Sequence, residues 1–296
     1  MYANRMSQGS SFLTLKDGRK LEYFDNNVES DKAILFLHGT PSDGSLWSHW
    51  LEEIKTVRAI STSRAGYGLS DRHKGRSVAD DLSDQAAVLD HFGIKSFVSI
   101  GWSGGGPHSL NMTRDNRCNA AFTLAGVGEW GRTDLDFLAG MGPENVEEFG
   151  AALKGEAEIT DWMEKNAVGM RSVTAEDLIA VLGGLIGDAD KKALTPEVAA
   201  HDAAVFSRSL SVSFDGWIDD DLAFVRDFGF DISKIDKPVV LYQGDDDFMV
   251  PHAHSYWLEK HIPTAKLNFV PGHGHISLGE KFRPNIIKEA LEFLSA

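Results

Sequence analysis

Ile100-Gly101-Trp102-Ser103-Gly104-Gly105-Gly106 is the stretch on which the fold turns. The apolar run before it, Ser96-Phe97-Val98-Ser99-Ile100, reads as a buried strand, and Pro107-His108-Ser109-Leu110-Asn111-Met112 behind it reads as the opening of a helix. Gly101-x-Ser103-x-Gly105 therefore sits at a strand-to-helix turn, the setting that gives a G-x-S-x-G pattern chemical meaning. A turn this sharp has no room for side chains at Gly101 and Gly105. It leaves Ser103 pointing off the sheet edge beside a helix N-terminus, whose partial positive charge favours developing negative charge.

Working outward, the sequence repeats the strand-then-helix alternation. Ser11–Lys16 and Lys20–Asp25 read as a hairpin closed by Asp17-Gly18. Ala33-Ile34-Leu35-Phe36-Leu37 is continuously apolar, as in a strand covered on both faces, and runs into His38-Gly39-Thr40-Pro41. A helix over Ser45–Lys55, a strand over Val57–Thr62 ending in the glycine turn Arg64–Asp71, and a helix over Ser77–His91 with Ser77 as its cap follow. Ala120–Ala125 is the next strand. The alternation predicts an α/β architecture, a mostly parallel central sheet with right-handed crossovers.

After Gly126 the periodicity becomes helical throughout. Candidate helices cover Pro143–Lys154, Ile159–Met170, Thr174–Leu185, Pro196–Leu210 and Asp215–Phe228, with Thr174 as a cap and Pro143 and Pro196 in first-turn positions. The sheet resumes at Pro238–Tyr242, enters Gly244-Asp245-Asp246-Asp247…Pro251, passes a helix over His252–His261 and a strand over Ala265–Val270, and reaches Gly272-His273-Gly274-His275 before a terminal helix. The division predicted is a core of residues 1–126 and 237–296 and an all-helical cap, or lid, of residues 127–236.

With 296 residues, 42% hydrophobic and 25% charged, the chain has the composition of an ordinary globular protein. Its one cysteine, Cys118, excludes an internal disulfide framework and fits a reducing compartment. The start, Met1–Ser10, lacks the apolar centre of a leader peptide, and no apolar run reaches membrane-spanning length, so a cytoplasmic location is expected. The net charge of -15 is concentrated: residues 127–236 carry 23 acidic against 9 basic side chains. That disfavours nucleic acid and anionic membranes as partners. The acidic excess reads first as a solvated helical face; the sharper alternative is an acidic entrance favouring neutral or cationic substrates.

Ser103, the Asp245–Asp247 cluster and the His273/His275 pair all sit in loops after strands, and in an open parallel sheet such loops converge on one crevice. A serine hydroxyl is a weak nucleophile without a base. A histidine can take its proton and return it to the leaving group, and a carboxylate behind the histidine fixes the tautomer and offsets the imidazolium charge. The pairs His252/His254 and His273/His275 lack the carboxylate-bearing spacing of a metal site, and no cofactor is called for.

Five motifs in this order, His38-Gly39-Thr40-Pro41, Arg64–Asp71, Gly101-Trp102-Ser103-Gly104-Gly105, Gly244–Asp247…Pro251 and Gly272-His273-Gly274-His275, resemble those of the α/β-hydrolase fold serine hydrolases with a helical cap. The resemblance spans Phe12 to the terminal helix. It implies Ser103 as nucleophile, His275 as base with His273 as competitor, and Asp247 as acid, with Asp245 and Asp246 as loop carboxylates and Glu129 as an alternative acid. It implies the backbone N–H groups of Gly104 and Thr40 as oxyanion donors. Trp102, Met141 and Trp162, with Met163 and Met170, are candidates for the substrate pocket.

A serine at the elbow argues against haloalkane dehalogenase and epoxide hydrolase chemistry, which uses aspartate there. The absence of tyrosine between Tyr67 and Tyr242 removes the cap tyrosines an epoxide hydrolase needs. The expected function is hydrolysis of a carboxylic ester or lactone of a small to medium substrate through an acyl-enzyme. Alternatives are a prolyl-aminopeptidase-like amide hydrolase, its acidic cap holding a free ammonium, and a catalytically silent binding protein on the same fold. The partner implied is a small-molecule substrate; the oligomeric state stays open.

Overall fold

The structure, a computed structural model, describes residues 9–295; the leader-peptide reading of the first residues falls on 1–8, outside them. Eight strands form one sheet: β1 (Ser11–Thr14), β2 (Lys20–Asp25), β3 (Lys32–Leu37), β4 (Arg58–Ser63), β5 (Ser96–Trp102), β6 (Cys118–Leu124), β7 (Val239–Gly244) and β8 (Ala265–Val270). Their order is β1-β2-β4-β3-β5-β6-β7-β8. The β1–β2 and β2–β4 pairs are antiparallel, and every other pair is parallel. Gly18, at a φ of 91°, makes the hairpin turn that Asp17-Gly18 announced.

Eleven α-helices are described: α1 (Ser48–Glu53), α2 (Asp81–His91), α3 (Gly105–Asn111), α4 (Pro143–Ala152), α5 (Glu156–Asn166), α6 (Leu178–Leu182), α7 (Asp188–Ala193), α8 (Pro196–Ser209), α9 (Asp215–Phe224), α10 (Ala253–His261) and α11 (His275–Ser295). Both faces of the sheet are covered, which is why β3 is continuously apolar. Its alternate side chains Ile34 and Phe36 pack with Trp50 and Leu51 of α1 and with Leu278, Ile286 and Ala290 of α11. Ala33, Leu35 and Leu37 face the other way, against Val88 and Leu89 of α2. On that same side Leu110 of α3 and Trp257 and Leu258 of α10 pack on the β6 and β7 strands.

Helices α4 to α9 all lie between β6 and β7, with no sheet strand among them. They have an apolar centre of their own, Ile159, Met163, Leu210, Trp217 and Ile218, and meet the sheet through Phe149, Phe224 and Phe228. No helix among the described residues is long and apolar enough to cross a membrane.

Several helix boundaries differ from the sequence reading. The helix expected from Ser77 begins at Asp81, because Ser77 does not cap it. Instead its N–H and hydroxyl both donate to the Asp80 carboxylate at 2.7 Å, which closes a separate turn. The helix expected over Ser45–Lys55 opens as a 3₁₀ turn over Gly44–Trp47, capped by Asp43. Of the helix expected over Thr174–Leu185 only α6 is α-helical, since Gly183 adopts a φ of 52°; Thr174 does cap the turn leading into it, its Oγ1 accepting from the Asp177 N–H at 3.3 Å. Helix α7 was not anticipated at all.

Candidate active site

The turn after β5 has the expected strain. Ser103 adopts a φ of 56°, a region costly for a non-glycine residue. A Cβ on Gly101 would lie 2.0 Å from the Gly105 carbonyl oxygen, and one on Gly105 would lie 2.1 Å from that of Leu37. These contacts are backbone against backbone and cannot relax by a rotamer change, so only glycine fits. The Ser103 N–H donates to the Leu124 carbonyl at 2.8 Å, which ties the elbow to β6.

The loop after β7 separates its three aspartates. Asp245 accepts the Gly272 N–H at 2.6 Å, and Asp246 accepts the Ala189 N–H at 2.7 Å. Asp247 alone reaches a histidine: its Oδ2 lies 2.8 Å from His275 Nδ1. Its other oxygen accepts the Met249 and Val250 N–H groups at 3.0 and 2.8 Å, and Gln243 Nε2 donates to Oδ2 at 3.2 Å. A carboxylate so loaded with donors accepts only, so His275 carries its proton on Nδ1 and presents Nε2 as a lone pair.

The competing candidates are engaged elsewhere. His273 packs its ring edge-on against Phe282 at 5.2 Å. Glu129 accepts the Phe228 N–H at 2.9 Å and pairs with Arg132. His254 accepts the Gly128 N–H on Nδ1 at 2.9 Å and bonds the Phe137 carbonyl through Nε2, so it is a buried structural histidine. Cys118 is buried, and burial pushes its thiol up to about 12.

Ser103, Gly104, Thr40 and His275 line one cavity of about 330 Å³ with Trp102, Met141, Trp162 and Met170. Met163 does not reach it; it lies in the apolar centre of the inserted helices. Trp102 both lines the cavity and braces the histidine loop, its ring 4.9 Å from the His275 ring and its Nε1–H donating to the His275 carbonyl at 3.2 Å.

Thr40 and Gly104 are immediate neighbours: a Cβ on Gly104 would lie 2.5 Å from Thr40 Oγ1. The Thr40 hydroxyl donates to Asp220 of α9 at 2.6 Å. Asp220 is fully buried and also takes Arg64 at 2.7 Å, Arg76 at 2.6 Å and the Tyr67 hydroxyl at 3.0 Å. Burial alone would raise its carboxyl, but the Arg64 and Arg76 guanidiniums hold it well below the usual carboxylate range.

Sequence reasoning missed this cluster, and it corrects the reading of the acidic stretch as a solvated face. Asp219, Asp220 and Asp221 are all buried. Asp219 pairs with Arg72 at 2.8 Å. Asp221 meets Glu148 in the cavity wall, where Glu148 Oε1 accepts from Trp217 Nε1 at 2.6 Å. Burial pushes Glu148 up to about 7, and burial together with Glu148 raises Asp221.

Comparison with known proteins agrees with this fold. Residues 32–151 match the family model described as alpha/beta hydrolase fold. The chain is 26% identical to a non-heme haloperoxidase of Rhodococcus erythropolis over 89% of its length and 92% of that protein's. It is 25% identical, with the same coverage, to a bifunctional esterase/perhydrolase of Acinetobacter calcoaceticus. Among solved structures, a thermophilic esterase from Thermogutta terrifontis superposes with a TM-score of 0.69 at 18% identity, covering 96% of this chain and 99% of that one. With β3–β8 parallel but for their β2 neighbour, a strained serine elbow after β5 and a histidine at the start of the last helix, the chain has the alpha/beta hydrolase fold.

Proposed function

We propose that this chain is a serine hydrolase that cleaves a carboxylic ester or lactone through an acyl-enzyme on Ser103. One observation carries the reading: a buried Asp247–His275 pair at 2.8 Å whose imidazole lines the same cavity as the strained Ser103. His275 Nε2 takes the Ser103 proton as Oγ attacks the acyl carbon, and Asp247 stabilises the imidazolium that forms. The backbone N–H groups of Gly104 and Thr40 receive the developing oxyanion. The imidazolium then protonates the leaving alcohol, or the ring oxygen of a lactone. Water, deprotonated by the same base, releases the acid and restores Ser103.

The cavity holds a small to medium substrate, with residues 127–236 acting as its lid. A panel of a p-nitrophenyl ester, a lactone and an anilide tests the reading. Ester or lactone turnover is expected, with Ser103→Ala lowering kcat by on the order of a thousandfold or more. Equal turnover by wild type and Ser103→Ala would refute it.

A second reading has one observation in its favour: among the described residues the cavity wall carries Glu144, Glu147, Glu148, Asp202 and Asp221 and no lysine or arginine. Such a wall suits a substrate bearing an ammonium group, as in a prolyl-aminopeptidase-like amide hydrolase. Turnover of proline β-naphthylamide above that of simple esters would favour it, and no amide turnover rejects it.

A further inference from the structure

Helix α7 and the residues before it belong to the inserted helices, yet they are stitched to both loops that carry the acid and the base. Ile186 bridges Asp247 in an isolated antiparallel pair. Asp246 accepts the Ala189 N–H, and a Cβ on Gly187 would lie 2.2 Å from an Asp246 oxygen. Asp190 then goes into the base loop itself. Its Oδ2 accepts the His275 N–H at 2.8 Å, and its Oδ1 accepts the N–H groups of Ile276 at 3.0 Å and Ser277 at 2.8 Å. The side chain is fully buried. Gly274 leaves the room for it, since a Cβ there would lie 2.6 Å from Asp190 Oδ1.

We propose that Asp190 is a positioning residue for His275. It caps α11 from outside, at the one residue whose side chain must face both Asp247 and Ser103. The first turn of any helix leaves its N–H groups without intrahelical partners. Here three of them converge on one carboxylate supplied from 85 residues away, and the first belongs to the base. The backbone of His275 is thereby held from its N–H by Asp190 and from its carbonyl by Trp102. With both ends of the residue fixed, the direction of its Cα–Cβ bond is set, and the ring, packed against the Trp102 indole at 4.9 Å, meets Asp247 in line. The inserted helices are, on this view, part of the catalytic frame as well as a cover over it.

The inference rests on His275 acting as the base, and the test separates the two. Asp190→Asn and Asp190→Ala are compared with wild type and with Lys192→Ala, an exposed position on the same helix. The first readout needs no turnover: the downfield proton resonance of His275 Nδ1–H in its bond to Asp247, identified by its loss in His275→Ala. The second is kcat and KM for a p-nitrophenyl ester, normalised to sites titrated with a fluorophosphonate.

In Asp190→Asn, an amide in place of the carboxylate turns a donor toward the His275 N–H if its oxygen keeps Ile276 and Ser277. The resonance is expected to broaden or vanish, and per-site kcat to fall about tenfold or more with KM within about twofold. Lys192→Ala is expected to match wild type. An unchanged resonance and unchanged per-site kcat, with only a lower Tm, would overturn the proposal and leave Asp190 as a helix cap. If Asp190→Ala fails to fold, Asp190→Asn, closest to the native side chain in shape, decides. A wild type without ester turnover would count against the hydrolase reading, while the resonance would still decide the role of Asp190.

Discussion

Ser103 and Asp247 sit in turns shaped by local backbone chemistry, which leaves a mark in the sequence, whereas His275 is held from outside by Asp190 and Trp102. The elbow needs glycine at 101 and 105 because backbone oxygens lie 2.0 and 2.1 Å from where a Cβ would sit. The loop after β7 needs a carboxylate at 247 to receive its own N–H groups at 249 and 250. Glu148 is a residue of the opposite kind, placed by burial and a side-chain bond from Trp217 in another helix, and it carries a prediction. Burial raises its carboxyl to about 7, so above an ordinary carboxylate value of 4.5 the unfolded chain releases this proton while the folded chain keeps it. The folded state then binds more protons, and stability declines as pH rises across that window. In Glu148→Gln the amide oxygen can still accept from Trp217 while its NH₂ donates permanently to Asp221. Thermal unfolding is therefore expected to show Glu148→Gln gaining a few °C over wild type at pH 8 and less at pH 5. A difference independent of pH would mean that burial does not raise the Glu148 carboxyl. Nothing in the sequence marks Glu148 or Asp221 as partners, since two acids in an acidic stretch look like any solvated surface.

At the scale of elements, the strands were legible because a strand covered on both faces carries a run of apolar residues, as in Ala33–Leu37 of β3 and Val239–Leu241 of β7, whereas their order in the sheet was not read from the sequence. The short inserted helices were less so. Helix α6 is a single turn flanked by 3₁₀ geometry, and α7 has six residues, too few for a period to emerge. Helix α9 was found but misread, because Asp219-Asp220-Asp221 is the signature of a solvated face unless its arginines arrive from elsewhere. They come from the glycine turn after β4 and the loop behind it, as Arg64, Arg72 and Arg76, 156 residues away in the case of Arg64. This helix is thus anchored through Asp220 to the loop that carries Thr40. Asp220→Asn leaves Arg64 and Arg76 buried without their counter-charge, which is expected to cost about 3–5 kcal/mol in urea unfolding. It should also slow turnover by loosening Thr40. A loss below about 1 kcal/mol would show that the two guanidiniums find other partners.

For the molecule as a whole, the concentration of negative charge in residues 127–236 was read from sequence, but its destination was not. Much of it faces solvent, and part turns inward to form the acidic wall above Ser103. Burial raises Asp202 to about 8 and Glu148 to about 7 and also raises Asp221, so the wall gains its full charge only above that range, and the expected consequence is selection against anions at pH 9 that weakens toward pH 6. At pH 9 an ester whose acyl chain ends in a carboxylate should have a kcat/KM at least about tenfold below that of its neutral isostere, with the gap narrowing as salt is added. Equal rates would show that the wall is screened or neutral. Narrower than any substrate preference is the role we propose for Ser103, a nucleophile activated by His275 and Asp247. Mass spectrometry of the protein treated with a fluorophosphonate tests it most directly. The expected result is one adduct on the peptide containing Ser103, formed at a rate that Asp247→Asn and His275→Ala both depress, and none in Ser103→Ala. No adduct on the folded wild-type protein, or one that persists in Ser103→Ala, would contradict it.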